Sequence, residues 1–291
     1  GKPIKKNALS LPVTLSISTT VVEILMHPMR NLAISVGMAV VCCTTQAQVC
    51  LKSVRWYSDI PYAFRGTDGQ IQGLDIDIAR TALKQMGCEV KFVEMPWARA
   101  LFELEQGRLD ILPGALIKPE REVFAYFSRP TNRSPNVLFM RKSSAEKYNI
   151  KQLSDLLGTN FRLGTQIDVS YGASYDTLLQ NPEFQAHLTP LTMRQSGWKM
   201  IGRDRIDGLI ADEISGLLEL QQLGLTDVVA KTRIVVSVAP AMFAFSKKTN
   251  TMEFVTAFNA VFGAMIADGR YKMIAQRYLP CTVSAESLGC K

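Results

Sequence analysis

From residue 50 onward the apolar positions follow two alternating rhythms. Short apolar runs at 54–57, 90–92 and 109–112 read as buried strands, while 74–86 and 97–106 repeat their apolar residues at helical spacing. Pro96 stands where a helix's first turn tolerates proline, and Gly107 ends that helix. The turn formers Gly66, Thr67, Asp68 and Gly69 separate the first strand from the first helix. A strand–helix–strand unit of this length is a crossover, which predicts parallel strands.

A strand over 136–141 opens a second such set. It comprises a helix over 152–157, a strand over 161–164, a helix over 171–179, a strand near 188–191, a helix over 196–203, a strand over 208–211 and a helix over 214–223. The chain then returns with a strand over 241–245 and closes with helices over 252–268 and 271–278. The fold class is therefore α/β, in two lobes. Residues 48–139 and 242–291 are expected to form lobe 1 and residues 140–241 lobe 2, with hinges near 138–142 and 238–243 and a cleft between them.

The chain has 291 residues, 47% of them hydrophobic and 20% charged, which suits a globular protein and excludes disorder or a fibre. Its formal charge of +7 shrinks once Lys2, Lys5, Lys6, Arg30 and Glu23 are set aside, leaving 29 basic and 25 acidic residues. That excess is scattered, with no basic stripe interleaved with aromatics, so nucleic acid is not the expected partner.

The leading part of the chain reads as a targeting signal. Arg30 precedes an apolar stretch over 32–43, and the segment TTQAQ offers a small-residue cleavage site after Ala47, so residues 29–47 are expected to be a secretory signal peptide and 1–28 an extension outside the fold. A buried N-terminal helix, a lipid-anchored form at Cys42, and a targeting segment built from Lys5, Lys6 and residues 8–26 are the alternatives. Cys42 and Cys43 would leave with the signal.

Four cysteines remain, Cys50, Cys88, Cys281 and Cys290, and an even count in an exported chain points to disulfides. Cys50 opens the first strand and Cys88 immediately precedes the second. If those strands are parallel neighbours, their starts lie side by side within disulfide reach. Cys281 and Cys290 would then close a C-terminal loop, and four free thiols are the alternative. The spacings do not suit zinc, and His187 is the one histidine after residue 47, so no metal or cofactor is expected.

Four motifs occur in a fixed order between residues 50 and 280. They are Asp59-Ile60-Pro61-Tyr62 with 69–77 (GQIQGLDID); Gly107-Arg108-Leu109-Asp110 with Pro119-Glu120-Arg121 and Phe127-Ser128-Arg129-Pro130; 205–213 (RIDGLIADE); and Ala267-Asp268-Gly269-Arg270-Tyr271 with Ile274 and 277–279 (RYL). Together they resemble the bacterial extracellular solute-binding proteins of family 3, the amino-acid type. The resemblance implies a type II periplasmic binding protein fold and a monomer. It also implies a small-molecule ligand, residence in the periplasm and a transient partnership with a membrane ABC permease.

The residue roles follow from the same resemblance. A zwitterion held in a closed cleft needs a cation for its carboxylate and an anion for its ammonium, because an unpaired buried charge is costly. Arg121 matches the arginine that takes the carboxylate, and Asp212 the aspartate that holds the ammonium. A solvated surface arginine and a helix N-cap are the respective alternatives. Trp97 is expected as an aromatic wall or as core, and Arg99 as an anion contact or as a partner of Glu103 one turn on. Tyr62, Gly114 and Leu116 complete the first lobe's side, and Ser170 with its neighbouring amides offers a carboxylate site or a plain helix cap.

The departures from the family's pattern also bear on the ligand. Asp59 stands in place of a stacking tyrosine, Leu116 and Lys118 in place of hydroxyl residues, and Asp168-Val169 in place of Gly-Thr. Carboxylates at 59 and 168 suggest a cationic ligand, such as a basic amino acid or polyamine. Periplasmic cyclohexadienyl dehydratases share the resemblance, and such chemistry would need a general acid from Asp168, Glu213 or Asp59. A stand-alone ligand sensor is the third reading.

Overall fold

The computed structural model describes residues 49–284 and 287–290. The expected leader over 29–47, the extension over 1–28, Cys42 and Cys43 lie outside the described residues. The first lobe begins with β1 (Cys50–Trp56), the hairpin β2 (Phe64–Arg65) and β3 (Ile71–Gln72), and α1 (Leu74–Gln85). It continues through β4 (Cys88–Glu94), α2 (Trp97–Gln106), β5 (Ile111–Ala115), the single turn α3 (Pro119–Glu122) and β6 (Ala125–Phe127).

The second lobe runs from β7 (Asn136–Arg141) and α4 (Lys142–Lys147) through a 3-10 turn, Leu153–Leu156, to β8 (Leu163–Gln166). There follow α5 (Ala173–Leu178), α6 (Pro182–Ala186), β9 (Leu188–Leu191), α7 (Arg194–Gly202), β10 (Gly208–Asp212), α8 (Glu213–Gln222) and β11 (Val229–Ser237). The chain returns to the first lobe with β12 (Met242–Ser246), α9 (Met252–Ala267) and α10 (Arg270–Tyr278), and ends in the small pair β13 (Val283–Ser284) and β14 (Gly289–Cys290).

Each lobe carries one five-stranded sheet, in the orders β4-β1-β5-β12-β6 and β11-β7-β10-β8-β9. β1 is parallel to both β4 and β5, so the crossover predicted through α2 passes over β1 rather than joining neighbours. In each sheet the strand that carries the chain between lobes runs against its neighbours: β12 is antiparallel to β5 and β6, and β7 to β10 and β11. The register sets Cys50 opposite Cys88, and the two form a disulfide with Cα atoms 4.5 Å apart. Cys281 and Cys290 form the second disulfide, over the terminal pair.

Helices cover both faces of both sheets, which is why the central strands β7, β10 and β12 read as continuous apolar runs. Along β7, Val137 and Phe139 pack with Trp198, Ile201 and Leu209 on one face, while Leu138 and Met140 pack with Phe161, Leu163 and Ile210 on the other. In the first lobe α1, α9 and α10 bring Leu74, Ile78, Phe258, Phe262 and Tyr271 onto Val54, Phe243 and Phe245. Each such side chain, fully buried, contributes roughly 1.5–3 kcal/mol. Gly216 lets α8 sit directly on β7, since a Cβ there would lie 2.4 Å from the Phe139 ring.

The crossing between lobes comes earlier than the hinge expected at 138–142. Asn136 already pairs with Asp212 and Ser237, so 136–139 belong to the second sheet, not to the first lobe. The hydrogen-bonded ladder holds β7 as one continuous strand and leaves the connection to the residues before it, where Asn132 bridges Ala241. β11 has no counterpart among the predicted elements, because its alternating pattern includes Lys231, Thr232 and Arg233, and Lys231, Arg233 and Val235 face outward.

Candidate ligand-binding site between the lobes

A cavity of about 160 Å³ lies where the two lobes and the crossing segments meet. Its wall takes Arg55, Asp59, Tyr62, Asp75, Trp97, Gly114, Leu116 and Arg121 from the first lobe, and Gln166, Ser170, Arg194, Asp212 and Glu219 from the second. Polar contacts draw the lobes together over it. Tyr62 Oη donates to Asp212 Oδ1 at 3.1 Å, Trp97 Nε1 to the Asp168 carbonyl at 2.9 Å, and Tyr57 Oη to Met193 Sδ at 2.8 Å.

Arg121 reaches the cavity because α3 is one turn long and Pro119 starts it, turning the third residue inward. The side chain is buried, with Nη1 donating to the Leu116 carbonyl at 3.0 Å and Nη2 to the Asp168 carbonyl at 2.7 Å. Its guanidinium carbon sits 5.7 Å from the centre of the Trp97 ring. Among the described residues no carboxylate lies within ion-pair distance of it. Burial pushes its pKa below the usual arginine value, against the opposing fields of Glu120, Asp176 and Asp168.

Asp212 ends β10 and caps α8, accepting from the Ser215 amide at 2.9 Å, so the cap reading holds while the carboxyl still lines the cavity. Burial raises its pKa, with no cation in contact among the described residues. The Tyr62 hydroxyl beside it is pushed well above the ordinary value by burial and by the Asp212 charge. Asn132, also in the wall, has its Oδ1 buried without a hydrogen bond among the described residues.

Two expected carboxylates play other parts. Asp59 is in the wall but is neutralised: Arg194 Nη2 lies 2.6 Å from its Oδ1 and the Ser215 hydroxyl donates to the same oxygen at 3.0 Å. Burial alone would raise the Asp59 pKa, yet Arg194 outweighs it and holds the carboxyl below its usual range. Asp168 offers its carbonyl to Arg121 and Trp97, and its carboxylate is not in the wall. Its left-handed φ of 59° turns that carbonyl toward the first lobe. The expectation of a cationic ligand, which rested on these two carboxylates, therefore loses both supports.

Arg99 is also outside the wall. Its side chain is 65% exposed and pairs with Glu103 at 2.5 Å, one helical turn on, because position 99 lies on the outer face of α2. Leu116 takes part through its carbonyl. Ser170 is buried in the wall, and its Oγ accepts a long 3.4 Å bond from the Gly172 amide ahead of α5.

The structure adds residues that sequence reasoning left out. Arg194 binds Glu219 through Nε and Nη2, both at 2.8 Å, and Trp198 Nε1 donates to the same carboxylate at 2.5 Å. Arg55 lines the cavity between the rings of Tyr57 and Trp97, and Asp75 lies behind Gly114. Gly114 has φ +78°, and a Cβ there would stand 3.7 Å from Asp75 Oδ2. Burial drives the Asp75 carboxyl up to about 8, reinforced by the Asp59 charge. One signal was present in the sequence: Arg55 interrupts an apolar run whose two neighbours, Val54 and Trp56, are buried.

Comparison with known proteins agrees with this architecture. The chain is 21% identical over 230 residues to the L-cystine-binding protein TcyJ of Escherichia coli, covering 77% of this chain and 80% of that protein. It is 25% identical over 230 residues to ABC transporter arginine-binding protein 1 of the same species, covering 76% and 86%. The solved structure of an ancestral arginine-binding protein bound to arginine superposes with a TM-score of 0.68 at 21% identity, covering 79% of this chain and 98% of that one, a likeness of fold. Residues 55–280 match the bacterial extracellular solute-binding proteins, family 3, and the chain belongs to that family.

Proposed function

We propose that this protein is a periplasmic binding protein that closes around a small zwitterion, an amino acid or close relative, and delivers it to a membrane ABC permease. The carrying observation is the pairing of Arg121 on one lobe with Asp212 on the other, both in the wall of one cavity and both without an ionic partner among the described residues. A carboxylate takes the guanidinium's free donors and an ammonium takes the carboxyl, so each end of the ligand binds a different lobe. Such a ligand stabilises the closed form because only closure satisfies both ends. A cavity of about 160 Å³ is on the scale of one small molecule. Relatives named for L-cystine and for arginine support the amino-acid class.

Export through the segment 29–47, a monomeric state and a transient permease contact complete the proposal. Among the described residues no helix is long and apolar enough to cross a membrane. Calorimetry and thermal shift against neutral, acidic, basic and double-headed amino acids test the reading. Saturable 1:1 binding of at least one of them is the expected result, and no binding across the panel would overturn it.

A further inference from the structure

Seven ionisable side chains of opposite sign line the cavity, three arginines and four carboxyls. Arg194 is held between Asp59 and Glu219, a group that keeps one excess negative charge. Arg55, Arg121, Asp75 and Asp212 have no ion-pair partner among the described residues. The zwitterion proposed above uses Arg121 and Asp212, which leaves the terminal donors of Arg55 without an acceptor.

Arg55 is placed as a built anion site rather than a stray charge. It stands on β1 between Val54 and Trp56, both buried in the first lobe, so its backbone is fixed by the sheet. Its Nε donates to the Met95 carbonyl at 3.1 Å, and its guanidinium carbon is 5.7 Å from the Tyr57 ring centre and 5.6 Å from that of Trp97. Those contacts hold the plane in position and leave both terminal nitrogens without a protein acceptor among the described residues. No carboxylate is within ion-pair distance of them among the described residues, although Asp59 and Asp75 are close enough to act through space. Burial lowers the Arg55 pKa only to about 10, so the group is still charged at neutral pH. A charged guanidinium with free, paired donors on a cavity wall binds a planar oxyanion bidentately.

We infer that Arg55 forms a second anion subsite, so that the ligand carries an oxyanion beyond its α-carboxylate. This rests on the amino-acid reading of the cavity. Two classes share that chemistry: acidic amino acids, and double-headed amino acids with two carboxylates and two ammonium groups. Asp75 separates them. A double-headed ligand brings a second ammonium to Asp75 and drives its proton off, whereas an acidic amino acid leaves the carboxyl protonated.

The test is calorimetry of wild type, Arg55→Gln, Arg55→Lys and Asp75→Asn with L-glutamate, L-aspartate, L-cystine, L-leucine and L-arginine, repeated in two buffers of different ionisation enthalpy. Wild type is expected to prefer glutamate, aspartate or cystine over leucine and arginine. Arg55→Gln should weaken the preferred ligand roughly thirtyfold or more, and Arg55→Lys less, because loss of one partner of a desolvated charge pair is costly. Once Arg55→Gln has weakened the preferred ligand, proton release that disappears in Asp75→Asn assigns the double-headed class, and release unchanged by Asp75→Asn or absent assigns the acidic class. Wild type that binds leucine or arginine best, with Kd unchanged in Arg55→Gln, would overturn the subsite and leave the amino-acid reading standing. Wild type that binds none of the panel would overturn that reading and the subsite with it.

Discussion

Arg194 on the second lobe holds Asp59 on the first at 2.6 Å while gripping Glu219 on its own lobe through two nitrogens. The chain carboxylate–guanidinium–carboxylate therefore runs across the cleft, and its middle member has its pKa held well above the usual arginine value by Asp59 and Glu219, against the effect of burial. Its two arms differ in consequence, because Glu219 is nearly fully buried and Asp59 is about one-third exposed.

Removing the buried arm should damage the fold. Glu219→Ala leaves Arg194 and the Trp198 Nε1 donor without their acceptor, at an expected cost of about 3–5 kcal/mol. Urea denaturation measures it. Asp59→Asn should cost far less and should act on closure, giving a larger radius of gyration by small-angle scattering in the absence of ligand. An unchanged radius would show that this pair does not hold the lobes together.

Arg121→Ala should abolish ligand binding, with at least about a hundredfold loss in affinity, since a truncated partner of a buried charge pair costs 2–5 kcal/mol or more. The variant is expected to fold, because among the described residues Arg121 bonds only to the two carbonyls of Leu116 and Asp168. Calorimetry with the wild-type ligand, alongside circular dichroism, checks both halves.

Asp75 should make stability depend on pH. A carboxyl whose native pKa is raised from 3.8 to about 8 holds its proton more tightly folded than unfolded. Its contribution is complete below the ordinary value and drains away as pH rises through about 8. Asp75→Asn has no such proton to lose. Its Tm relative to wild type should therefore climb between about pH 5 and about pH 9, with each kcal/mol worth about 2–4 °C. A constant difference across that range would place the Asp75 pKa near the ordinary value.

The two disulfides should differ in weight. The Cys50–Cys88 bridge spans 38 residues and Cys281–Cys290 spans 9. Loop-closure entropy assigns them about 4 and about 2.5 kcal/mol respectively. Paired Cys→Ala variants, compared by guanidinium denaturation, should rank in that order.

Much of the fold was legible because its elements are buried on both sides and read in one rhythm. Strand 136–141 and helix 97–106 were placed to the residue, since each is a closed apolar or amphipathic unit between clear breaks. β11 is hidden for the opposite reason: Lys231, Arg233 and Val235 are exposed and its pattern carries charge. The crossing point was placed too late because a continuous strand gives no mark of which sheet it joins.

The two-lobe α/β pattern and the family were legible along the chain, from periodicity and from four motifs in order, while the pairing of Cys50 with Cys88 waited on β1 and β4 lying side by side. Local periodicity and motifs survive in one dimension. Which charges remain open depends on the folded arrangement. Asp59 lost its role because Arg194, 135 residues away, reaches it across the cleft. Arg99 turned outward onto Glu103, and Asp168 kept its carbonyl while its carboxylate left the wall. Arg55 and Asp75 entered the site through burial and strand direction. Charge compensation is a property of neighbours in space, and its sum over the cavity cannot be read along the chain.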